Sequence, residues 1–261
     1  MIHTFVVLAY KESKYLEDCI NSCLNQTVKT SVVIATSTPN DYIDKIAKKY
    51  KLKVYINKSE KKGIGYDFDF ARTCVNTKLV TIAHQDDLYD ETYAEEVINA
   101  YKKENKSIII FPDYYEIRKE GKVYKNTNLK IKSFLLRKLR NNKKANKTKV
   151  KQKALKYGNS ICCPAVTFVT DNITGPVFES DMKSNIDWLA WYRLSLLDGY
   201  FNYIHKPLMG HRIYDESTTS QVINESGRSK EDYEMFIKFW PKIIAKGLTK
   251  FYQMSEKSNK N

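Results

Sequence analysis

The sequence predicts an α/β fold: a doubly wound, mostly parallel sheet flanked by helices, followed by a mixed α+β C-terminal part. Two observations carry this prediction. Short apolar runs alternate with helical patterns over residues 1–111, which is typical of consecutive βαβ units. The runs at 79–83 (LVTIA) and 107–111 (SIIIF) are nearly continuous, as in strands buried on both faces of a parallel sheet.

The elements of this first part follow in order. Strands are predicted at residues 4–9, 31–36, 52–56, 79–83 and 107–111. Helices are predicted at residues 15–24, 41–50, 66–75 and 89–103. The Gly63-Ile64-Gly65 turn precedes the third helix. It lacks the lysine and hydroxyl of a P-loop and the last glycine of a dinucleotide fingerprint, so we interpret it as a plain turn; the alternative is a close approach of its backbone to a ligand.

Past Pro112 the pattern changes. A hairpin is predicted around Gly121, and Phe134, Leu135, Leu136 and Leu139 are placed on one amphipathic helix. A helix at 186–197, a short strand at 200–204 and a C-terminal helix broken near Trp240-Pro241 follow. The predicted organisation is a core at 1–111, a second region at 112–228 that includes the basic segment 130–156, and a C-terminal helix with a polar tail at 229–261.

Composition limits the class of protein. With 261 residues and 42% hydrophobic residues the chain can bury a substantial core. Its apolar runs are shorter than the roughly 18 residues of a membrane span, and the N-terminal run has no basic stretch before it, so we expect a cytoplasmic protein. The five cysteines have neither metal-site nor disulfide spacing, which predicts reduced thiols.

The net charge of +14 is concentrated in one segment. Residues 130–156 contain twelve Lys and Arg and no acidic residue, so the remaining chain has 44 − 12 = 32 basic residues against 30 acidic ones. Such a surface can meet an anionic partner, either lipid head groups or a phosphorylated acceptor. A solvated helical face explains the same pattern equally well.

Polar residues follow several predicted strands, where ligands bind in open α/β sheets. They are Tyr10-Lys11-Glu12, Thr36-Ser37 and His84-Gln85-Asp86-Asp87. Adjacent carboxylates at the mouth of a buried strand repel each other, and a divalent cation relieves this. Oxygen ligands suit Mg²⁺ or Mn²⁺, which would bridge diphosphate oxygens. The alternative is that Asp87 or Asp90 caps the following helix.

Two later positions also have two interpretations each. Asp187 opens an amphipathic helix, where it could cap the helix or act as a general base. Arg212, next to His211, could pair with a diphosphate or form a surface ion pair.

Taken together, these segments resemble family-two glycosyltransferases of the GT-A fold, in order and over nearly the whole chain. FVVLAYKES resembles the opening strand and turn of the family, and VVIATSTPND its second strand. KKGIGYDFDFARTCVNTKLVTIAHQDD resembles the glycine turn, helix and strand that lead to the metal-binding DXD signature. NIDWLAWYRL is similar to the motif that carries the catalytic base, and HRIYDESTT to the late R-I-H-x-x-S-x-T segment.

The resemblance implies an inverting enzyme that moves a sugar from a nucleoside-diphosphate sugar to an acceptor hydroxyl in bacterial surface-glycan synthesis. It implies Asp187 as the catalytic base and Mn²⁺ or Mg²⁺ held by Asp86, Asp87 and His211. The implied donor-binding residues are Ala9, Tyr10, Glu12, Thr36, Asp69, His84, Gln85 and Arg212.

The chain also departs from the family pattern. Leu8 and Lys11 replace the usual Pro and Asn, Thr36 and Ser37 stand where base-recognising acids are usual, His84 replaces the first acid of DXD, and Tyr214 replaces the late His.

The implied partners are the sugar nucleotide and a glycan or lipid-linked acceptor. Segment 130–156 is a candidate contact for an anionic membrane surface, with Phe134, Leu135, Leu136 and Leu139 as the apolar face of an interfacial helix. The enzyme would then be peripheral at the inner face of the membrane.

Two other functions stay open. A nucleotidyltransferase that makes sugar nucleotides would use a similar sheet, although its usual glycine-rich basic loop is missing after the first strand. A nucleic-acid-binding protein is suggested by the isoelectric point of 9.3 and nineteen tyrosines. The tyrosines are scattered and the basic segment is poor in aromatics, so we expect no nucleic acid.

Overall fold

The computed structural model describes residues 1–140, 142–214 and 225–258. The strands are β1 His3–Ala9, β2 Ser31–Thr36, β3 Val54–Ile56, β4 Leu79–His84, β5 Leu88–Tyr89, β6 Ser107–Arg118, β7 Gly121–Val123, β8 Thr167–Val169 and β9 Tyr200–Arg212. The helices are α1 Leu16–Leu24, α2 Asp41–Tyr50, α3 Ile64–Thr73, α4 Tyr93–Lys103, α5 Thr127–Leu136, α6 Thr148–Leu155, α7 Ile186–Ser195, α8 Glu225–Phe236 and α9 Lys242–Ser258.

All of these strands belong to one sheet in the order β3-β2-β1-β4-β8-β6-β9-β5, with β7 paired to β6. The strands β3, β2, β1 and β4 are parallel to one another. The short β8 is antiparallel to both β4 and β6, so β6 again runs in the direction of β4, and β9 is parallel to β6. The predicted α/β fold with a mostly parallel sheet is therefore confirmed.

Helices cover both faces of the sheet, which explains the continuous apolar strands. On one face α1, α2 and α4 pack Leu16, Ile43 and Tyr93 into one apolar cluster. On the other face α3 and α7 contribute Phe68 and Trp188 to a second cluster. A strand between two such layers has no solvated side, so side chains of both orientations must be apolar.

Strand β6 is longer than predicted, because Pro112 does not end it. The register between β6 and β9 shifts on both sides of Asp113, and such a bulge accommodates a residue that cannot donate to the ladder. Strand β9 likewise continues from the predicted 200–204 to Arg212, and it pairs with β5. The predicted end of this strand at 204 was wrong. The extension brings His211 and Arg212 next to the end of β4.

The basic segment differs from its prediction as a single amphipathic helix. Helix α5 is followed by a 3-10 turn, Arg137–Arg140, and by α6. Leu136 and Leu139, three positions apart and so on one side of the chain, are buried in the core, whereas Phe134 is 59% exposed. The prediction that Phe134, Leu135, Leu136 and Leu139 form a free apolar face was therefore wrong.

Lys151 of α6 is also part of the interior. Its side chain is fully buried, and its Nζ donates to the carbonyl oxygens of Leu197 at 2.6 Å and Gly199 at 3.1 Å. Burial lowers the pKa of this ammonium group to about 8. Not every charge of the basic segment is thus available to a partner.

The C-terminal region contains two helices, α8 and α9, separated near Trp240-Pro241 as predicted. Helix α9 ends at Ser258, so it continues into residues that were expected to form the polar tail. Among the described residues, none of the helices combines the length and the apolarity that crossing a bilayer would require.

Candidate active site

The carboxyl ends of β1 and β4 are joined by a side-chain amide. Gln85 Oε1 accepts from the Tyr10 backbone N–H at 3.0 Å, and Gln85 Nε2 donates to the Tyr10 carbonyl at 3.1 Å. Ala9, which ends β1, is buried, whereas the Tyr10 ring is 50% exposed and Glu12 lies exposed on the following loop. An aromatic face and a carboxylate thus border the sheet edge where a ligand is expected.

The end of β2 carries hydroxyl groups and a carboxylate from α3. Thr36 is fully buried, and its Oγ1 accepts from the Thr38 backbone N–H at 3.0 Å. Ser37 Oγ donates to Asp67 Oδ2, and Asn57 Nδ2 donates to Asp67 Oδ1, both at 2.8 Å. The sequence reasoning missed Asp67, which supplies an acid where Thr36 and Ser37 provide none.

Asp87 is fully buried beneath the site. Its Oδ1 accepts from His211 Nδ1 at 3.0 Å and from the Arg212 backbone N–H at 2.8 Å. Burial lowers the pKa of the His211 imidazole, but the Asp87 carboxylate outweighs this and leaves that pKa raised. Asp87 does not cap the following helix. Its carboxylate instead binds His211 and Arg212 at the end of β9 and so connects β9 to the end of β4.

Asp86 is the more accessible carboxylate of the pair. Its Oδ2 accepts from the Tyr214 hydroxyl at 3.0 Å, and its backbone carbonyl accepts from Arg212 Nε at 2.8 Å. Burial, followed by repulsion from Asp87, raises the pKa of Asp86. The Arg212 guanidinium also stacks 4.1 Å from the ring centroid of Tyr15. The rest of the late motif, residues 215–218, lies outside the described residues.

His84 lies between these acids and the helical side of the site. Its ring stacks on Phe68 at a centroid distance of 5.1 Å, and its buried Nε2 has no hydrogen-bond partner within the described structure. Burial lowers the pKa of His84, while the carboxylates of Asp86, Asp87 and Asp187 raise it. A buried ring nitrogen without a partner is unfavourable, and a bound ligand is one way to satisfy it.

Helix α3 links this edge of the sheet to α7. Phe68 packs edge-on against Phe178 at 5.0 Å, and a Cβ on Gly65 would lie 2.6 Å from the Phe178 carbonyl oxygen and 3.4 Å from Ile186. Gly65 is thus required for close packing. Of the predicted Gly63-Ile64-Gly65 turn, only Gly63 precedes the helix, as its N-cap residue with a φ of 130°; Ile64 and Gly65 already belong to α3, which begins two residues earlier than predicted.

Asp69 holds the loop before α7. Its carboxylate accepts backbone N–H groups from Val177 at 2.7 Å, Phe178 at 2.8 Å and Glu179 at 2.9 Å. Three donors converging on one carboxylate fix the path of this loop. The donor-binding role that the resemblance gives Asp69 stays a prediction, and its visible contacts anchor the chain that leads to Asp187.

Asp187 lies in the first turn of α7. Its Oδ2 accepts from Asn159 Nδ2 at 2.6 Å, and its Oδ1 accepts from the Trp188 backbone N–H at 2.8 Å. Burial raises the pKa of the Asp187 carboxyl, while Asn159, the Trp188 N–H and the positive charge of Lys132 lower it. The helix begins after Asn185, so Asp187 is not its N-cap residue.

Lys132 of α5 also reaches the site, which the sequence reasoning did not predict. Its Nζ lies 5.1 Å from the ring centroid of Tyr114, and its charge acts on both Asp187 and His211. No carboxylate of the described residues lies within ion-pair distance of it. Only the basic segment as a whole was assigned to an anionic partner, because sequence cannot tell which lysine turns inward.

The donor set fits a divalent cation only in part. No group of three or more His, Cys, Asp and Glu side chains in the described ranges is arranged to hold a metal. Asp86 is only partly buried and its Oδ2 accepts from the Tyr214 hydroxyl, whereas the buried Asp87 carboxylate is engaged by His211 and by the Arg212 backbone N–H. A cation that completes its coordination with substrate phosphates and water needs only one or two carboxylates, which suits Mg²⁺ or Mn²⁺.

Two solved structures of similar fold contain a bound nucleotide sugar. TarS residues 1–349 from S. aureus, in complex with UDP-GlcNAc, has a TM-score of 0.64 at 14% identity, over 95% of this chain and 70% of that one. The mannosyltransferase PcManGT from Pyrobaculum calidifontis, in complex with GDP-Man and Mn²⁺, has a TM-score of 0.59 at 14% identity, over 95% and 69%. No curated protein sequence matches the chain.

The family comparison covers most of the chain. The profile described as Glycosyl transferase family 2 matches residues 4–169, from β1 through β8. This span contains the ends of β1, β2 and β4 and the Asp86-Asp87 pair. The chain therefore belongs to glycosyl transferase family 2.

Proposed function

We propose that this glycosyltransferase moves a sugar from a nucleoside-diphosphate sugar to an acceptor hydroxyl by a single inverting displacement. The observation that carries the proposal is a chain of contacts from the acidic end of β4 to α7: the His84 ring stacks on Phe68 of α3, and Gly65 of the same helix packs closely against Ile186, the residue before Asp187. Asp86 follows β4 and Asp187 lies in the first turn of α7, so two segments distant in the sequence would contribute to one site. Family membership favours this reaction over nucleotidyl transfer.

The donor would lie across the ends of β1, β2 and β4. Tyr10 would stack on the base, and Asp67, Glu12 and Gln85 would border the nucleoside. The solved complexes of TarS and PcManGT contain UDP-GlcNAc and GDP-Man, which supports a nucleoside diphosphate as the carrier. His84 Nε2 is available to a ribose hydroxyl or a phosphoryl oxygen.

The diphosphate would lie against Asp86 and Arg212. A divalent cation bound at Asp86 would supply positive charge that stabilises the leaving diphosphate. The stacking of Arg212 on Tyr15 orients its guanidinium, and its side chain is held at the Asp86 carbonyl. Asp87 would orient the His211 ring by accepting from its Nδ1. A carboxylate commonly orients a metal-binding histidine in this way.

Asp187 would accept the proton of the acceptor hydroxyl as that oxygen attacks the anomeric carbon from the face opposite the diphosphate. The contacts from Asn159 and the Trp188 N–H leave the carboxylate oriented, and they oppose the rise in pKa that burial causes. Lys132 would meet an anionic group of the substrate, since no carboxylate among the described residues pairs with it.

The acceptor is proposed to be a glycan or a lipid-linked precursor used in bacterial surface-polysaccharide synthesis. The basic segment 130–156 supports contact with an anionic surface at the inner face of the membrane. Because Lys151 and Leu139 are buried, neither would take part in this contact, which would use the other charged residues of the segment.

The test is a binding and turnover panel of UDP-, GDP-, dTDP- and CMP-sugars with and without Mn²⁺. We expect one nucleotide class to bind and to release its diphosphate. The Asp187→Asn variant should bind that donor as the wild type does but lose turnover by about a hundredfold or more. Wild-type turnover in this variant, or pyrophosphate formation from a nucleoside triphosphate and a sugar phosphate, would contradict the proposal.

A further inference from the structure

The last helix, α9, packs one side against the helix that carries the proposed base. Ala245 is fully buried, and the Tyr252 ring lies 6.1 Å from Trp188 and 5.9 Å from Phe236. Trp188 directly follows Asp187. The inner side of α9 is therefore fixed to the wall of the site.

The outer side of α9 is apolar along one stripe. Ile243 is 88% exposed and Phe251 is 71% exposed, and Ile244 beside them is also exposed. Phe251 lies eight positions after Ile243, which places the two side chains on one side of the helix, about 12 Å apart along its axis. No side chain of the described residues covers this stripe. Large apolar side chains this exposed on one helix face indicate a contact surface.

Lysines border the stripe along its whole length. Lys242, Lys246 and Lys250 recur every four residues, so they form a row on the exposed side of α9. The sequence has no acidic residue between 242 and 255. A row of cations beside a row of bulky apolar residues is the pattern of a helix that lies in a membrane interface.

We propose that α9 docks this enzyme on an anionic lipid surface. Ile243 and Phe251 would enter the boundary between head groups and acyl chains, and the three lysines would contact anionic head groups. A second copy of this chain fits the apolar stripe less well than a lipid surface does, because its own lysines would repel Lys242, Lys246 and Lys250 across the contact. The charges of segment 130–156 add to the attraction of the surface.

This inference goes beyond sugar transfer, and it also gives the acceptor a location. Because α9 packs on α7, a docked enzyme would hold Asp187 close to the lipid surface. A lipid-linked acceptor could then reach the base without leaving the membrane. Helix α9, rather than segment 130–156, would then supply the apolar side chains that enter the membrane.

The experiment is co-sedimentation of the full chain with vesicles of phosphatidylcholine, alone or mixed with phosphatidylglycerol. The wild type should bind the mixed vesicles and release them at high salt. The Ile243→Ser/Phe251→Ser double variant should lose affinity by about tenfold or more. Each lysine changed to Gln among Lys242, Lys246 and Lys250 should cost about fivefold.

Two control variants test whether the loss of vesicle binding is specific to α9. Leu24→Ser changes an exposed leucine at the end of α1, and it should bind vesicles as the wild type does. The Ile131→Ser/Phe134→Ser variant changes the exposed apolar residues of α5 and should lose much less affinity than the α9 double variant. Wild-type vesicle binding by the α9 double variant, or loss confined to the α5 variant, would overturn the proposal.

Two further readouts complete the test. A dimer of the wild type in gel filtration that the α9 double variant abolishes would assign the stripe to a second copy and would also overturn the proposal. Nucleoside-diphosphate affinity, measured on the same variants without vesicles, should stay unchanged. Failure of docking and failure of the proposed reaction are therefore distinguishable.

Discussion

The contact between Asn159 and Asp187 makes a quantitative prediction about the pH dependence of the enzyme. Asn159 Nδ2 donates to Asp187 Oδ2 at 2.6 Å, and this bond favours the ionised carboxylate. A hydrogen bond to a charged group contributes about 1.5–3 kcal/mol, and one pKa unit corresponds to about 1.4 kcal/mol. Asn159→Leu removes the donor at nearly constant volume, so it should raise the pKa of Asp187 by about one to two units.

A base must be ionised to act, so activity rises with pH through the pKa of Asp187. The acid limb of kcat/KM against pH should therefore move upward in Asn159→Leu by the same one to two units or so, while the plateau changes little. The assay is transfer, or donor hydrolysis by water until the acceptor is known. Asn21→Leu makes the same change on the exposed side of α1 and should leave the profile unmoved. Superimposable acid limbs in folded Asn159→Leu and wild type would refute the assignment of Asp187.

Three further outcomes are expected. Asp69→Asn should lower the free energy of unfolding by about 2–4 kcal/mol in denaturant titrations, because three N–H groups lose a charged acceptor, and equal stability would contradict the anchoring of this loop. The pKa of Lys151 is lowered to about 8 in the folded protein, so the unfolded chain binds more protons above that pH and stability should increase as pH rises. This gain, about 2–3 kcal/mol between pH 7 and 10, should be missing from Lys151→Met, and parallel pH profiles of unfolding would refute it. Asp67→Asn should weaken binding of the preferred nucleoside diphosphate more than that of inorganic pyrophosphate, and equal effects on the two would remove Asp67 from the base-binding side.

The sequence predicted the elements whose signals are local. The strand at 31–36 and the helix at 41–50 have the predicted bounds, because apolar periodicity and the Asn40 cap define them within a few residues. The continuous runs at β4 and β6 likewise indicated the buried centre of the sheet. The carboxyl ends of β1, β2 and β4 could be expected together, because parallel neighbouring strands end at one edge.

What was missed depends on contacts between distant segments. Strand β9 was predicted to end before His211 because its polar end has no apolar pattern, and its pairing with β5 is invisible to a local pattern. Asp67 and Lys132 carry no motif, and only the packing of α3 and α5 directs them to the site. Leu139 was assigned to a free apolar face because amphipathicity does not say which layer of the protein covers it.

We propose that Asp86 holds a divalent cation against the donor diphosphate. The affinity of the nucleoside diphosphate, measured by calorimetry with and without Mn²⁺ in wild type and Asp86→Asn, tests this proposal. Asp44→Asn on the exposed side of α2 is the matched control. Mn²⁺ should strengthen binding by about tenfold or more in wild type and control, and it should have little effect in Asp86→Asn. Equal enhancement by Mn²⁺ in all three proteins, or no enhancement in wild type, would contradict the account.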